Sequence, residues 1–253
     1  MKKTMRFYAT ILIFLLTHLT IIAQCIDKEK ITYGGDYGFV DYIHRCPTYN
    51  FAYGGDTLRN WNMFGDPIDI IQAPKNLMDL KKKVEMQIKK YAGTKFFSKV
   101  KFKSVDVVYA DKLKSFKAHG QLGVTLKFCK AKYFFYYEFK PDTIATYHIG
   151  IALDNSGKII SKFHFPSKEN YQPIDTSFTY CRLIEIARKS QHDIDPIAEI
   201  KFEYNEKEKK FYWLISQDIL NKKEGLNYMN EVIIDAADLT KTVNTTGRAS
   251  IRY

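Results

Sequence analysis

Lys209-Lys-Phe-Tyr-Trp-Leu-Ile-Ser216 and Asn230-Glu-Val-Ile-Ile-Asp-Ala-Ala-Asp-Leu-Thr240 read as two strands, the second ending on an acidic turn. The same arrangement occurs earlier, as Lys132-Tyr-Phe-Phe-Tyr-Tyr-Glu-Phe139 followed by His148-Ile-Gly-Ile-Ala-Leu-Asp-Asn-Ser-Gly-Lys158. Lys132-Tyr133-Phe134-Phe135 aligns with Lys210-Phe211-Tyr212-Trp213 at an offset of 78, and Leu153-Asp154 with Ile234-Asp235 at an offset of 81. The expected architecture is α+β: two related helix-on-antiparallel-sheet units, residues 75–166 and 167–253. A Gly- and Tyr-rich segment, 24–74, precedes them.

Ordinary apolar and charged fractions, 45% and 26%, fit a globular chain of one large or two small domains. The 18 Tyr and 18 Phe fall in alternating runs, which favours sheet. Residues 1–23 read as a signal peptide: Lys2, Lys3 and Arg6, an apolar run from Ile11 to Ile22, then Ala23. No second segment is long and apolar enough to span a membrane, so no transmembrane span is expected after cleavage. Export, periplasmic or extracellular, follows. Ile22-Ala23-Gln24-Cys25 is similar to a lipobox, but Gln24 stands where a small residue belongs, which disfavours a lipid anchor on Cys25.

Export would let disulfides persist. Cys25 and Cys46 could close a loop of ~20 residues, stabilising by roughly 3 kcal/mol, and Cys129 and Cys181 could form a second bridge. Sequence does not choose among the three pairings.

The net charge of +11 is local. Residues 75–117 carry thirteen Lys against four acids, a net of +9. Lys81, Lys82, Lys83, Lys89, Lys90, Lys99, Lys101 and Lys103 are therefore the candidate surface for an anionic partner: lipid headgroups, a glycan or an acidic protein. The plain alternative is solvated lysines on one helix and one sheet. Nucleic acid is not expected, since no recognition motif is present.

Leu77, Leu80, Val84, Ile88 and Tyr91 form one helical stripe, with Asn76 as N-cap, Asp79 completing a capping box and Gly93 as stop. Strands are expected over 100–109, 122–128, 133–139, 146–153 and 158–165. A second helix is expected over 178–190, capped by Asp175, Thr176 or Ser177. Strands over 197–204, 211–217 and 228–235 follow, then a short edge strand near 238–243 and a polar tail from Asn244. Tyr33-Gly-Gly-Asp36 and Tyr53-Gly-Gly-Asp56 suggest tight turns in surface loops.

Ile186-Ala187, Phe211-Tyr-Trp-Leu214 and Val232-Ile-Ile-Asp235, with Ile151-Ala-Leu-Asp154 and Gly157 in the first copy, resemble the PepSY-like family. Asp235-Ala-Ala-Asp-Leu-Thr240 lacks that family's Gly. The resemblance implies an exported, non-catalytic module linked to peptidase inhibition or to folding of secreted peptidases. His44, His119, His148, His164 and His192 fall in no catalytic motif, and neither a phosphate loop nor a metal cluster is evident, so no cofactor is expected. The leading expectation is a binding or inhibitory module for a protein, peptide or polyanion. The alternatives are a secreted hydrolase with a site between the two units, and a lipid-anchored structural envelope protein.

Overall fold

A computed structural model describes residues 25–35, 48–54, 57–61, 75–108, 131–143, 145–190, 193–222 and 224–251. It is an α+β protein with two five-stranded sheets. The strands are β1 Ile31–Thr32, β2 Thr48–Gly54, β3 Thr57–Trp61, β4 Val100–Val108, β5 Tyr133–Phe139 and β6 Tyr147–Leu153. They continue as β7 Ile197–Asn205, β8 Lys210–Gln217, β9 Gly225–Asp235 and β10 Thr242–Ile251. Helix α1 spans Leu77–Phe97 and α2 spans Tyr180–Arg188.

The first sheet runs β3-β2-β4-β5-β6 and is antiparallel throughout. The second runs β1-β7-β8-β9-β10, antiparallel except where β1 pairs with β7. Each helix is thus followed by a three-stranded antiparallel meander, β4-β5-β6 or β7-β8-β9. The two aromatic strands are the middle members, and the offset of 78 preserves their buried face. Tyr133, Phe135 and Tyr137 point into the core, as do Phe211, Trp213 and Ile215. The following strands are two residues out of step with the sequence alignment. Phe135 lies opposite Ile151 and Trp213 opposite Ile234, so Ile151, not Leu153, takes the place of Ile234. A shift of two leaves every side chain on its expected face.

The α1 stripe is Leu77, Leu80, Val84, Ile88, Ala92 and Phe96. Tyr91 sits at its edge against Phe163, with ring centroids 4.8 Å apart. Gly93, at φ 82°, breaks the helix as expected, and a further turn follows. Asn76 makes no side-chain cap bond, so the expected capping box is absent. In α2 the cap is Thr179, whose hydroxyl accepts from the Arg182 N–H at 3.3 Å. Asp175 instead accepts from Ser177.

Several expected elements differ. Residues 158–165 form only a single bridge, Leu153 to Ile159, because Phe163 and Phe165 turn inward against α1. Residues 242–251 are a ten-residue strand, not a short edge strand and tail. The 24–74 segment supplies three strands instead of surface loops. The expected strand 122–128 lies outside the described residues.

Helices and sheets enclose one core. Rings stack from α1 into the second sheet: Phe96 on Phe139 at 4.3 Å, Phe139 on Phe211 at 5.2 Å, Phe211 on Phe202 at 4.9 Å. A strap, residues 25–35, closes the seam between the sheets. Ile31 and Thr32 pair with Ile200 and Lys201 of β7. Gly34 then bridges to β6: its N–H donates to the Thr146 carbonyl at 3.1 Å and its carbonyl accepts from His148 N–H at 2.9 Å.

Cys25, at the start of the strap, is disulfide-bonded to Cys181 in α2, with Cα atoms 5.5 Å apart. This replaces both expected pairings, Cys25 with Cys46 and Cys129 with Cys181. The strap's pairing with β7 carries Cys25 to α2, the helix that precedes β7. Cys46 and Cys129 lie outside the described residues.

Candidate functional site

The eight candidate lysines do not form one patch. In β4, Val105 and Val107 enter the core beside α1, so Lys101 and Lys103 face the other side of the sheet. There Lys103 and Lys140 pair with Glu138 at 3.1 and 2.8 Å. Burial works to raise the Glu138 carboxyl, but hydrogen bonds from Lys140 and Lys103 outweigh it and hold the group below its usual range. Opposite Glu138 in β6 stands His148, depressed chiefly by burial, with Tyr33 stacked at 5.2 Å. Lys99 is exposed in the connection from α1 to β4.

The α1 lysines divide again. Lys81 pairs with Glu85 at 2.7 Å and lies 5.1 Å above the Phe102 ring. Lys83 donates to the Gly157 carbonyl at 2.8 Å. Lys82, Lys89 and Lys90 are exposed on the solvent side.

A second source of charge was missed from the sequence. Residues 157–168 run alongside α1. Gly157 approaches Leu80, Phe163 and Phe165 pack on Tyr91, and the Lys168 N–H donates to the Tyr91 carbonyl at 2.8 Å. Exposed Lys158, Lys162 and Lys168 are thereby set beside the helix. Met78 and Met86, 44% and 62% exposed, lie on the same solvent side of α1. The signal for this surface was present as Phe163-x-Phe165 and the lysines around it, but alternation there reads equally well as a strand.

The seam holds an open hollow of about 280 Å³ lined by Gly35, Tyr147, His164, Lys201, Glu203, Tyr204 and Glu206. His164 Nδ1 contacts Glu206 Oε1, and both side chains are largely exposed. The buried histidine beside a carboxylate that a hydrolytic site would call for is not what this hollow holds. A wider groove of about 480 Å³ lies between α2 and the β9–β10 turn, with Arg182, Ile186, Leu239 and Thr240 in its walls. Among the described residues, no three His, Cys, Asp or Glu side chains gather as a metal site, and no helix is long and apolar enough to cross a membrane.

Comparison with protein-family models, with curated proteins and with solved structures returns no match for the chain. The PepSY-like resemblance therefore rests on the residues that carry it.

Proposed function

We propose that the protein is an exported, non-catalytic binding module whose partner is an anionic polymer or surface. The observation that carries this reading is the basic solvent side of α1. Lys82, Lys89 and Lys90 stand there beside Lys158 and Lys162, with exposed methionines among them. Lysines act as mobile point charges without the fixed fork of arginine, so such a surface responds to charge density more than to ligand geometry. The Cys25–Cys181 disulfide supports an oxidising destination, periplasmic or extracellular. A sulfur bonded to Cys181 cannot also carry a lipid, which argues against the anchored alternative. The PepSY-like resemblance would add a peptidase or peptide as partner.

The test is retention on an immobilised sulfated polysaccharide. Combined Lys82→Glu, Lys89→Glu and Lys90→Glu should weaken binding roughly tenfold or more and lower the eluting salt concentration. Lys101→Glu with Lys103→Glu, on the other side of the sheet, should change it little. Retention that ignores salt, or that falls equally in both variants, removes this surface from the proposal.

A further inference from the structure

We propose that β10 is the contact between two copies of this chain, paired edge to edge about a two-fold axis at Thr246. β10 ends its sheet, and its ten residues pair with β9 without a register shift. Such an edge offers open N–H and C=O groups to another strand unless it is guarded by lysine, proline or a bulge. β10 has none of these: in a chain with 39 Lys and Arg its one charge is Arg248.

The register is fixed by which groups point outward. Asp235 N–H donates to the Lys241 carbonyl, and Ala236 N–H points the other way, to the Phe211 carbonyl. Odd-numbered residues from Lys241 onward therefore turn their backbone groups toward β9. Thr242, Asn244, Thr246, Arg248 and Ser250 turn theirs outward. Antiparallel pairing centred on Thr246 places each outward residue opposite another: Thr242 faces Ser250 of the second copy, Asn244 faces Arg248, and Thr246 faces itself. All five outward residues are then used on each copy, for about ten new hydrogen bonds.

Side chains agree with this register. The two Arg248 residues do not oppose each other, so no like charges meet across the pair. Asn244 Oδ1, shielded from water and without a hydrogen-bond partner among the described residues, gains a facing guanidinium. Val243, 60% exposed, comes to lie opposite Ala249 of the second copy. Beyond Glu231, the partner of Ser216, β9 has no further pairing with β8. The β9–β10 ribbon is two-stranded there, with Leu226 and Tyr228 exposed, and a third strand would support it.

An isolated extended peptide could use the same edge but has no reason to place the axis at Thr246. The experiment is sedimentation equilibrium of the full chain together with disulfide trapping. Wild type should show a concentration-dependent dimer. Thr246→Cys should crosslink across the axis on mild oxidation, because hydrogen-bonded partners lie about 5.5 Å apart at Cα. Val243→Cys, facing Ala249, should crosslink no more than wild type. Thr246→Pro removes one outward N–H per copy and should raise the dissociation constant at least about tenfold. A monomer at every concentration, or a dimer that traps through Val243→Cys as readily as through Thr246→Cys, overturns the proposal.

Discussion

Gly34→Ala is the substitution that the seam should not tolerate. A Cβ at this position would lie 1.2 Å from the Phe202 carbonyl oxygen and 2.4 Å from its carbon. Both are backbone atoms of β7, so neither can swing aside. The strap would have to move by about 2 Å to restore van der Waals contact. Hydrogen bonds do not survive that displacement. The bonds at risk are Gly34 N–H to Thr146, His148 N–H to Gly34, and Gly35 N–H to Glu203 Oε2 at 3.0 Å. At a net ~0.5–1.5 kcal/mol each, their loss costs about 2–4 kcal/mol. For a chain of this size that lowers Tm by about 5–15 °C. The Cys25–Cys181 bond keeps the strap tethered, so the chain should remain folded around an open seam. Thermal unfolding followed by circular dichroism gives the first readout. Hydrogen exchange at His148, whose amide loses its acceptor, gives the second. Tyr33→Ala, which removes an exposed ring next door, should shift stability by less than about 0.5 kcal/mol. A Gly34→Ala protein that melts within a degree of wild type with an unchanged His148 amide refutes this account of the seam.

Reduction tests the tether itself. Cys25 and Cys181 are 156 residues apart, and the loop-entropy estimate for so long a closure is about 5 kcal/mol; Cys181→Ser should therefore melt well below wild type, and peptide mapping without reductant should recover the two cysteines in one linked fragment. Glu231 gives a pH prediction of the opposite sign to that of most carboxylates in the chain. Burial first, and the nearby Glu199 carboxylate second, raise its pKa, while Ser216 opposes them. A carboxyl raised on folding is a cost at neutral pH that disappears as the pH falls through its folded pKa. Glu231→Gln should accordingly raise Tm at pH 7 and leave it almost unchanged near pH 4, and a loss of stability at pH 7 would count against this reading. Asp238, held at about 2 first by the Thr240 hydroxyl and then by Lys241, behaves in reverse: its contribution is present above its ordinary pKa and lost as pH falls from about 4 toward 2.

The parts of the fold that sequence made legible are those where one face is buried. Alternation at 133–139 and 211–217, and the 3-4-4 spacing from Leu77, follow from the need to hide one side of a strand or helix. β10 escaped because Thr-Val-Asn-Thr-Thr-Gly-Arg-Ala-Ser-Ile hides neither side fully, so it carries no period to read. The 158–165 stretch failed for the converse reason. Its phenylalanines alternate as a strand would, yet they cap the end of the α1 stripe. The lysines of 75–117 looked contiguous because sequence order ignores the pleat; one β-strand is enough to send Lys101 and Lys103 to the opposite side from Lys89. The disulfide could not be foreseen, because Cys25 reaches Cys181 only after the strap has paired with β7.

The two halves, alike in element order, depend on each other physically. Phe96 belongs to the first helix, but its ring completes a stack that ends on Phe202 of the second sheet. Phe211 touches Phe139 and Tyr147 from the other half as closely as it touches Phe202. Divided at residue 166, either half would expose these faces, and the strap would keep only one of the two edges it joins. The same dependence reaches the basic surface. Lys158 and Lys162 stand beside α1 because Phe163 and Phe165 are held in the shared core, with Phe165 stacked on Phe96 at 5.2 Å. Charge on the outside is thus positioned by aromatic packing between the halves. A core substitution at Phe165 would move the loop lysines away from α1 without altering the net charge, separating the effect of charge placement from that of charge amount.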